Sequence, residues 1–133
     1  MIGLYMVEDN GNSLPFAAQS ITNLSAKSSK HIIQGALSYI HKNFTRPLKL
    51  EDVAKAVYLN PAYLSHVFKQ ATGVGFIHYL TNLRMQKAKV LLADPQYTIQ
   101  EVGERVGYSN YRYFSQTFKK YVGKTPHEFR SRS

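Results

Sequence analysis

The sequence predicts an all-α protein in which two helix-turn-helix subdomains are joined by a long linker helix, seven helices in all. Three observations predict it. A unit of about 50 residues occurs twice, apolar residues recur at helical spacing throughout both copies, and no segment alternates apolar and polar as a half-exposed strand would. Val53-Ala-Lys-Ala-Val57 matches Val102-Gly-Glu-Arg-Val106 at an offset of 49. At an offset of 50, Tyr63-Leu64-Ser65 matches Tyr113-Phe114-Ser115, Phe68-Lys69 matches Phe118-Lys119, Gly73 matches Gly123 and Tyr79 matches Phe129. The slip of one residue falls between Tyr58–Pro61 and Gly107–Tyr111, where a turn absorbs it.

Each element has its own local reason. Residues 1–30 read as a tail, a linker or the remnant of an upstream domain, with a turn at Asn10-Gly11-Asn12-Ser13 and a linker at Ser25–Ser29. The basic helical domain then covers 31–133 and opens with a helix marked by Ile33, Leu37, Ile40 and Phe44. The first helix-turn-helix spans about 50–73. Its first helix carries Leu50, Val53, Ala54 and Val57 at i, i+3, i+4 and i+7. Asn60-Pro61 supplies a cap and a proline for the next helix, whose apolar face is Leu64, Val67, Phe68 and Ala71 and whose stop is Gly73. A linker helix follows over about 76–92. The second helix-turn-helix, about 98–123, starts at the capping box Thr98-Ile-Gln-Glu101. It buries Ile99, Val102 and Val106, then Phe114, Phe118 and Tyr121 in a helix capped by Ser109 or Asn110 and closed by Gly123. A second capping box, Thr125-Pro-His-Glu128, opens a short last helix.

Composition narrows the function. The 133 residues carry 17 Lys+Arg against 8 Asp+Glu, a formal charge of +9, with 44% apolar residues and no cysteine. A disulfide scaffold and a Cys-ligated zinc finger are therefore excluded, and the apolar content is too high for a disordered polycation. No apolar run approaches the ~18–20 residues of a membrane span, and the start lacks the basic leader of a signal peptide, so a soluble, cytoplasmic protein is expected. Lys27 and Lys30 balance Glu8 and Asp9, which leaves all the net charge in 31–133. A polyanion is the expected partner.

The outward faces of the second helices say which polyanion. Ala62, Ser65, His66 and Lys69 form one; Arg112, Ser115, Gln116 and Lys119 form the other. Each has short or hydrogen-bonding side chains in its middle and a lysine at its C-terminal end. Polar groups of that size reach base edges in a major groove while flanking cations meet phosphate. Neither face holds a carboxylate; Glu51, Asp52, Glu101 and Glu104 sit early in the first helix of each copy, where the helix dipole favours them.

The region from about Ile32 to Arg130 resembles the AraC/XylS type of bacterial transcription regulators. The most specific string is Arg84-Met85-x-x-Ala88-x-x-Leu91, followed by Ile99-x-x-Val102-Gly103-x-x-Val106-Gly107-Tyr108. It continues through Tyr113-Phe114-Ser115-x-x-Phe118-Lys119 and Gly123-x-Thr125-Pro126-x-x-Phe129-Arg130. The resemblance implies that both recognition helices enter successive major grooves of double-stranded DNA. A linker helix of ~17 residues, ~25 Å long, plus one helix diameter can bridge the ~34 Å between those grooves. Base contacts are accordingly expected from Ala62, Ser65, His66, Tyr111, Arg112, Ser115 and Gln116. Phosphate contacts are expected from Lys49, Asn60, Lys69, Ser109, Asn110, Lys119 and Lys120. The resemblance further implies an activator that touches RNA polymerase, and either an upstream sensor or dimerisation domain absent from this chain or a stand-alone member controlled by its abundance.

Departures from the family pattern carry their own expectations. His66 and Gln116 stand where many members have arginine; glutamine favours adenine, so the second half-site should lean toward A·T. Lys49 replaces a Ser or Thr cap, and Gly103 replaces a common alanine, costing ~1 kcal/mol of helix stability or allowing closer packing. Arg84 lies on the apolar stripe of the linker helix with Leu80 and Leu91, where an ion pair with a carboxylate of the second copy fits better than DNA contact.

Other chemistries lack their residues. The five histidines include no pair at metal-binding spacing, Ser65 and His66 cannot face each other on a helix, and Gly73-Val-Gly75 is no phosphate loop. No enzyme activity, metal or cofactor is expected. The tyrosines around Arg112 could make a stacking surface for single-stranded RNA, but Phe114, Phe118 and Tyr121 recur at core spacing. A basic helical adaptor that binds RNA or an acidic protein is the alternative reading.

Overall fold

The computed structural model describes the backbone of residues 16–131 and the side chains of residues 30–131. Seven helices and no strand occur among the described residues: α1 (Phe16–Asn43), α2 (Leu50–Ala56), α3 (Pro61–Thr72), α4 (Phe76–Leu92), α5 (Ile99–Arg105), α6 (Tyr111–Val122) and α7 (Pro126–Ser131). The turn expected at residues 10–13 lies outside the described residues. The linker expected at Ser25–Ser29 does not interrupt the chain, because α1 runs through it. No glycine or proline stands between Phe16 and Gln34, and a serine costs a helix only tenths of a kcal/mol.

The chain divides into two compact units, one from α1 up to His41 together with residues 49–76, the other from residues 42–48 and 77 onward. In the first, Ile33, Ala36, Leu37 and Ile40 of α1 are buried, as are Val53 and Ala54 of α2 and Leu64, Val67 and Phe68 of α3. Phe68 meets Phe76 edge to face at 6.2 Å. In the second, Met85, Ala88 and Leu92 of α4 join Val102, Val106, Tyr108, Phe114 and Phe118 in one cluster. Phe118 stacks edge-on against Phe129 with centroids 5.6 Å apart. Each large apolar side chain buried this way contributes about 1.5–3 kcal/mol, which is what holds such short helices in place.

The helix starts follow the expected caps. The Asn60 amide oxygen accepts from the N–H groups of Ala62 and Tyr63. The Asn110 oxygen accepts from Tyr113 N–H, so Asn110 rather than Ser109 is the cap of α6. Thr98 with Glu101 and Thr125 with Glu128 form complete capping boxes. Lys49 has no acceptor to offer, and Asp52 accepts from its backbone N–H instead.

Both helix-turn-helix turns end their first helix identically. Leu59 N–H bonds Ala54 O at 2.8 Å, and Tyr108 N–H bonds Gly103 O at 2.9 Å. Tyr58 N–H reaches Lys55 O as Gly107 N–H reaches Glu104 O. These are paired Schellman closures, which put the residue after the cap in the left-handed region. Gly107 fills that position with φ 107°, whereas Tyr58 fills it with φ 58°. The one-residue slip of the repeat therefore falls after this point, at Leu59 against Tyr108-Ser109.

Candidate nucleic-acid interface

The burial of α3 and α6 decides which side chains face outward. In α3, Leu64, Val67 and Phe68 are buried, which leaves Ala62, Ser65, His66 and Lys69 exposed along one stripe. In α6, Phe114, Thr117 and Phe118 are buried, while Arg112, Gln116, Lys119 and Lys120 are exposed and Tyr111 is 48% exposed. Ser115 is only half-buried and is less available than its counterpart Ser65. Each stripe runs i, i+3, i+4, i+7, so its members project from one side of the helix.

The remaining expected residues are placed as follows. Lys49 and Ser109 are exposed. Asn60 and Asn110 are exposed too, but their amide oxygens are committed to helix caps, so only their N–H₂ groups are left to donate outward. Tyr113 is 59% exposed at the start of α6, and its ring leans on Tyr108 with centroids 5.7 Å apart.

Arg84 is structural, but not through a carboxylate. Its Nε donates to Phe44 O at 2.8 Å and its Nη2 to Arg46 O at 2.9 Å. Its guanidinium lies 5.4 Å from the centre of the Tyr108 ring. Carbonyls just past the end of α1 have no helical partner, and a planar fork satisfies two of them at once. Arg130 does the same at the end of α4, donating to the carbonyl of its last residue, Leu92, and to Asp94 O just beyond it. Burial pushes the Tyr108 phenol above its ordinary value of 10.0, an effect that Arg84 partly offsets. Burial likewise raises Tyr79.

Gly103 answers a question that its helix propensity left open. A Cβ there would sit 2.9 Å from Phe114 Cδ2 and 3.0 Å from Cγ. The residue lets Phe114, the inner anchor of α6, approach the backbone of α5. The sequence also gave no sign that His78 and Asn82 of α4 stand beside Lys120 and Tyr121 of α6. They are about 40 residues apart and belong to no shared motif.

Two helix-turn-helix units, each presenting a carboxylate-free stripe on its second helix, define a double helix-turn-helix protein of the kind that binds DNA. A family model described as a helix-turn-helix domain matches residues 53–132. The chain is 33% identical over 106 residues to the Msm operon regulatory protein of Streptococcus mutans, covering 80% of this chain and 38% of that protein. Among solved structures, the C-terminal domain of AraT, a response regulator from Geobacillus stearothermophilus, matches with a TM-score of 0.75 and 44% identity, over 77% of this chain and 85% of that one. A transcriptional regulator of Chromobacterium violaceum with an AraC-type DNA-binding domain matches with a TM-score of 0.71 and 30% identity, over 79% and 94%. The chain belongs to the AraC-type helix-turn-helix family of DNA-binding transcription regulators. It spans less than half the length of the curated relatives that it matches here, 38%, 38% and 13% of three of them. No helix among the described residues is long and apolar enough to cross a membrane.

Proposed function

We propose that the chain reads an asymmetric site on double-stranded DNA with α3 and α6 placed in successive major grooves. The observation that carries this is the matched pair of outward stripes, free of carboxylate and each closed by a lysine. Ala62, Ser65 and His66 contact bases from α3, and Tyr111, Arg112, Ser115 and Gln116 from α6. Lys49, Lys69, Ser109, Lys119 and Lys120 meet phosphates, together with the amide N–H₂ groups of Asn60 and Asn110 and the helix N-termini that they cap. The regulator acts in the cytoplasm as an activator through RNA polymerase. It works with an upstream sensing or dimerisation domain, a reading supported by the fraction of its relatives that the chain spans.

Selection from a random duplex pool, read by gel shift at several salt concentrations and by sequencing, tests this. An enriched asymmetric motif with half-sites ~10 bp apart is expected. His66→Ala and Gln116→Ala should each relax one half-site by ~1–3 kcal/mol. Salt-sensitive binding without a motif, or preference for single strands, refutes it in favour of a basic adaptor.

A further inference from the structure

We propose that His78, Asn82, Lys120 and Tyr121 form a seat for one backbone phosphate of the duplex read by α6, which makes α4 a DNA-contacting helix. These four residues line a cavity of about 470 Å³. Every one of them can donate a hydrogen bond, one is a cation, and none of the described residues that line the space is a carboxylate. That chemistry suits an anion.

The seat is organised internally. Tyr121 Oη lies 3.3 Å from His78 Nδ1, and the two rings pack at 5.4 Å and 40°. Where the phenol donates to Nδ1, the imidazole proton sits on Nε2 and can donate to a phosphate oxygen; in the other tautomer Nδ1–H donates to the phenol oxygen and the phenol O–H is left to donate. Lys120 supplies the charge and Asn82 an amide N–H₂. Lys120 and Tyr121 also line a neighbouring cavity of about 350 Å³ together with Gln116. The surface is thus continuous from a proposed base-reading residue to His78.

That continuity selects a duplex phosphate over a free anion. His78, Asn82 and Lys120 are exposed, so a free ion would meet one screened cation in open solvent. A duplex lying on α6 presents its phosphate there already, one helical turn from Gln116. The proposal rests on α6 being a DNA-reading helix.

The probe is the duplex recovered by selection, and the readouts are the salt dependence of binding and phosphate-ethylation interference. Lys120→Ala should weaken all sequences alike and lower the slope of log K against log salt by about 1. His78→Ala and Asn82→Ala should each remove from the interference pattern the same single phosphate that Lys120→Ala removes. Asn82 is exposed and outside the ring pair, so its variant tests the seat even where His78→Ala disturbs packing. An unchanged pattern in the Asn82 and His78 variants, or the loss of a different phosphate in each, overturns the seat while the reading of α6 stands. Failure of the unaltered chain to bind any duplex overturns both.

Discussion

The glycine at position 103 gives the sharpest test of how α6 is anchored. Substituting alanine should favour α5 by about 1 kcal/mol on propensity alone. The new Cβ, however, would lie 2.9 Å from Phe114 Cδ2 and 3.0 Å from Cγ. Carbon atoms normally rest at about 3.5–4.0 Å, so something must yield by about 0.5–1 Å. Phe114 has no exposed surface, and its ring is held between Tyr108 at 5.6 Å and Phe118 at 6.0 Å. Overpacking of that kind costs about 1–3 kcal/mol. Gly103→Ala should therefore destabilise by about 1 kcal/mol net, a fall in Tm of about 4–8 °C for a unit of this size, and weaken duplex binding by displacing α6. The first copy pairs Ala54 with Leu64 at the equivalent positions, both buried. Gly103→Ala made in a Phe114→Leu background should then be neutral or stabilising, with a coupling of at least about 1 kcal/mol in the double-mutant cycle. Urea denaturation followed by circular dichroism measures all four corners. A stabilising Gly103→Ala with Phe114 intact would refute the packing argument.

Three further outcomes follow from the same geometry. Tyr58 is 93% exposed with φ 58°, so Tyr58→Gly relieves strain without losing packing and should raise stability by about 0.5–1 kcal/mol, measured as a higher urea midpoint. Arg84→Lys keeps the charge but cannot satisfy the Phe44 and Arg46 carbonyls together; a loss of about 1–3 kcal/mol is expected, and an unchanged melting temperature would contradict it. The phenols of Tyr108 and Tyr79 are both raised by burial, so the fold favours their neutral forms. Their contribution is complete below pH 10 and is lost as pH climbs through their raised values, so the urea midpoint should fall as pH rises above 10 and fall less in Tyr79→Phe.

Much of the fold was legible because its causes are local. Helices α3, α5, α6 and α7 start at caps written in the sequence, and the buried residues of α2, α3, α5 and α6 occupy the periodic positions. The outward faces of α3 and α6 followed by subtraction, as the residues that the core does not claim. What stayed illegible depends on partners distant in the chain. Arg84 announces a charge on an apolar stripe, but nothing nearby reveals that carbonyls 38 and 40 residues away receive it. The His78 and Lys120 neighbourhood is of the same kind. The duplication shows where such distant partners decide a residue. Tyr58 and Gly107 occupy the same step of the same closure, yet they face different constraints. At Gly107 a Cβ would meet Arg84 Cζ at 3.0 Å and Phe44 O at 3.1 Å, so a side chain is excluded by neighbours as well as by φ. At Tyr58 only the backbone angle opposes a side chain, and a ring 93% exposed has nothing to collide with. The first copy can therefore carry a tyrosine at a cost of about 1–2 kcal/mol, whereas the second needs a glycine for as long as Arg84 holds the end of α1.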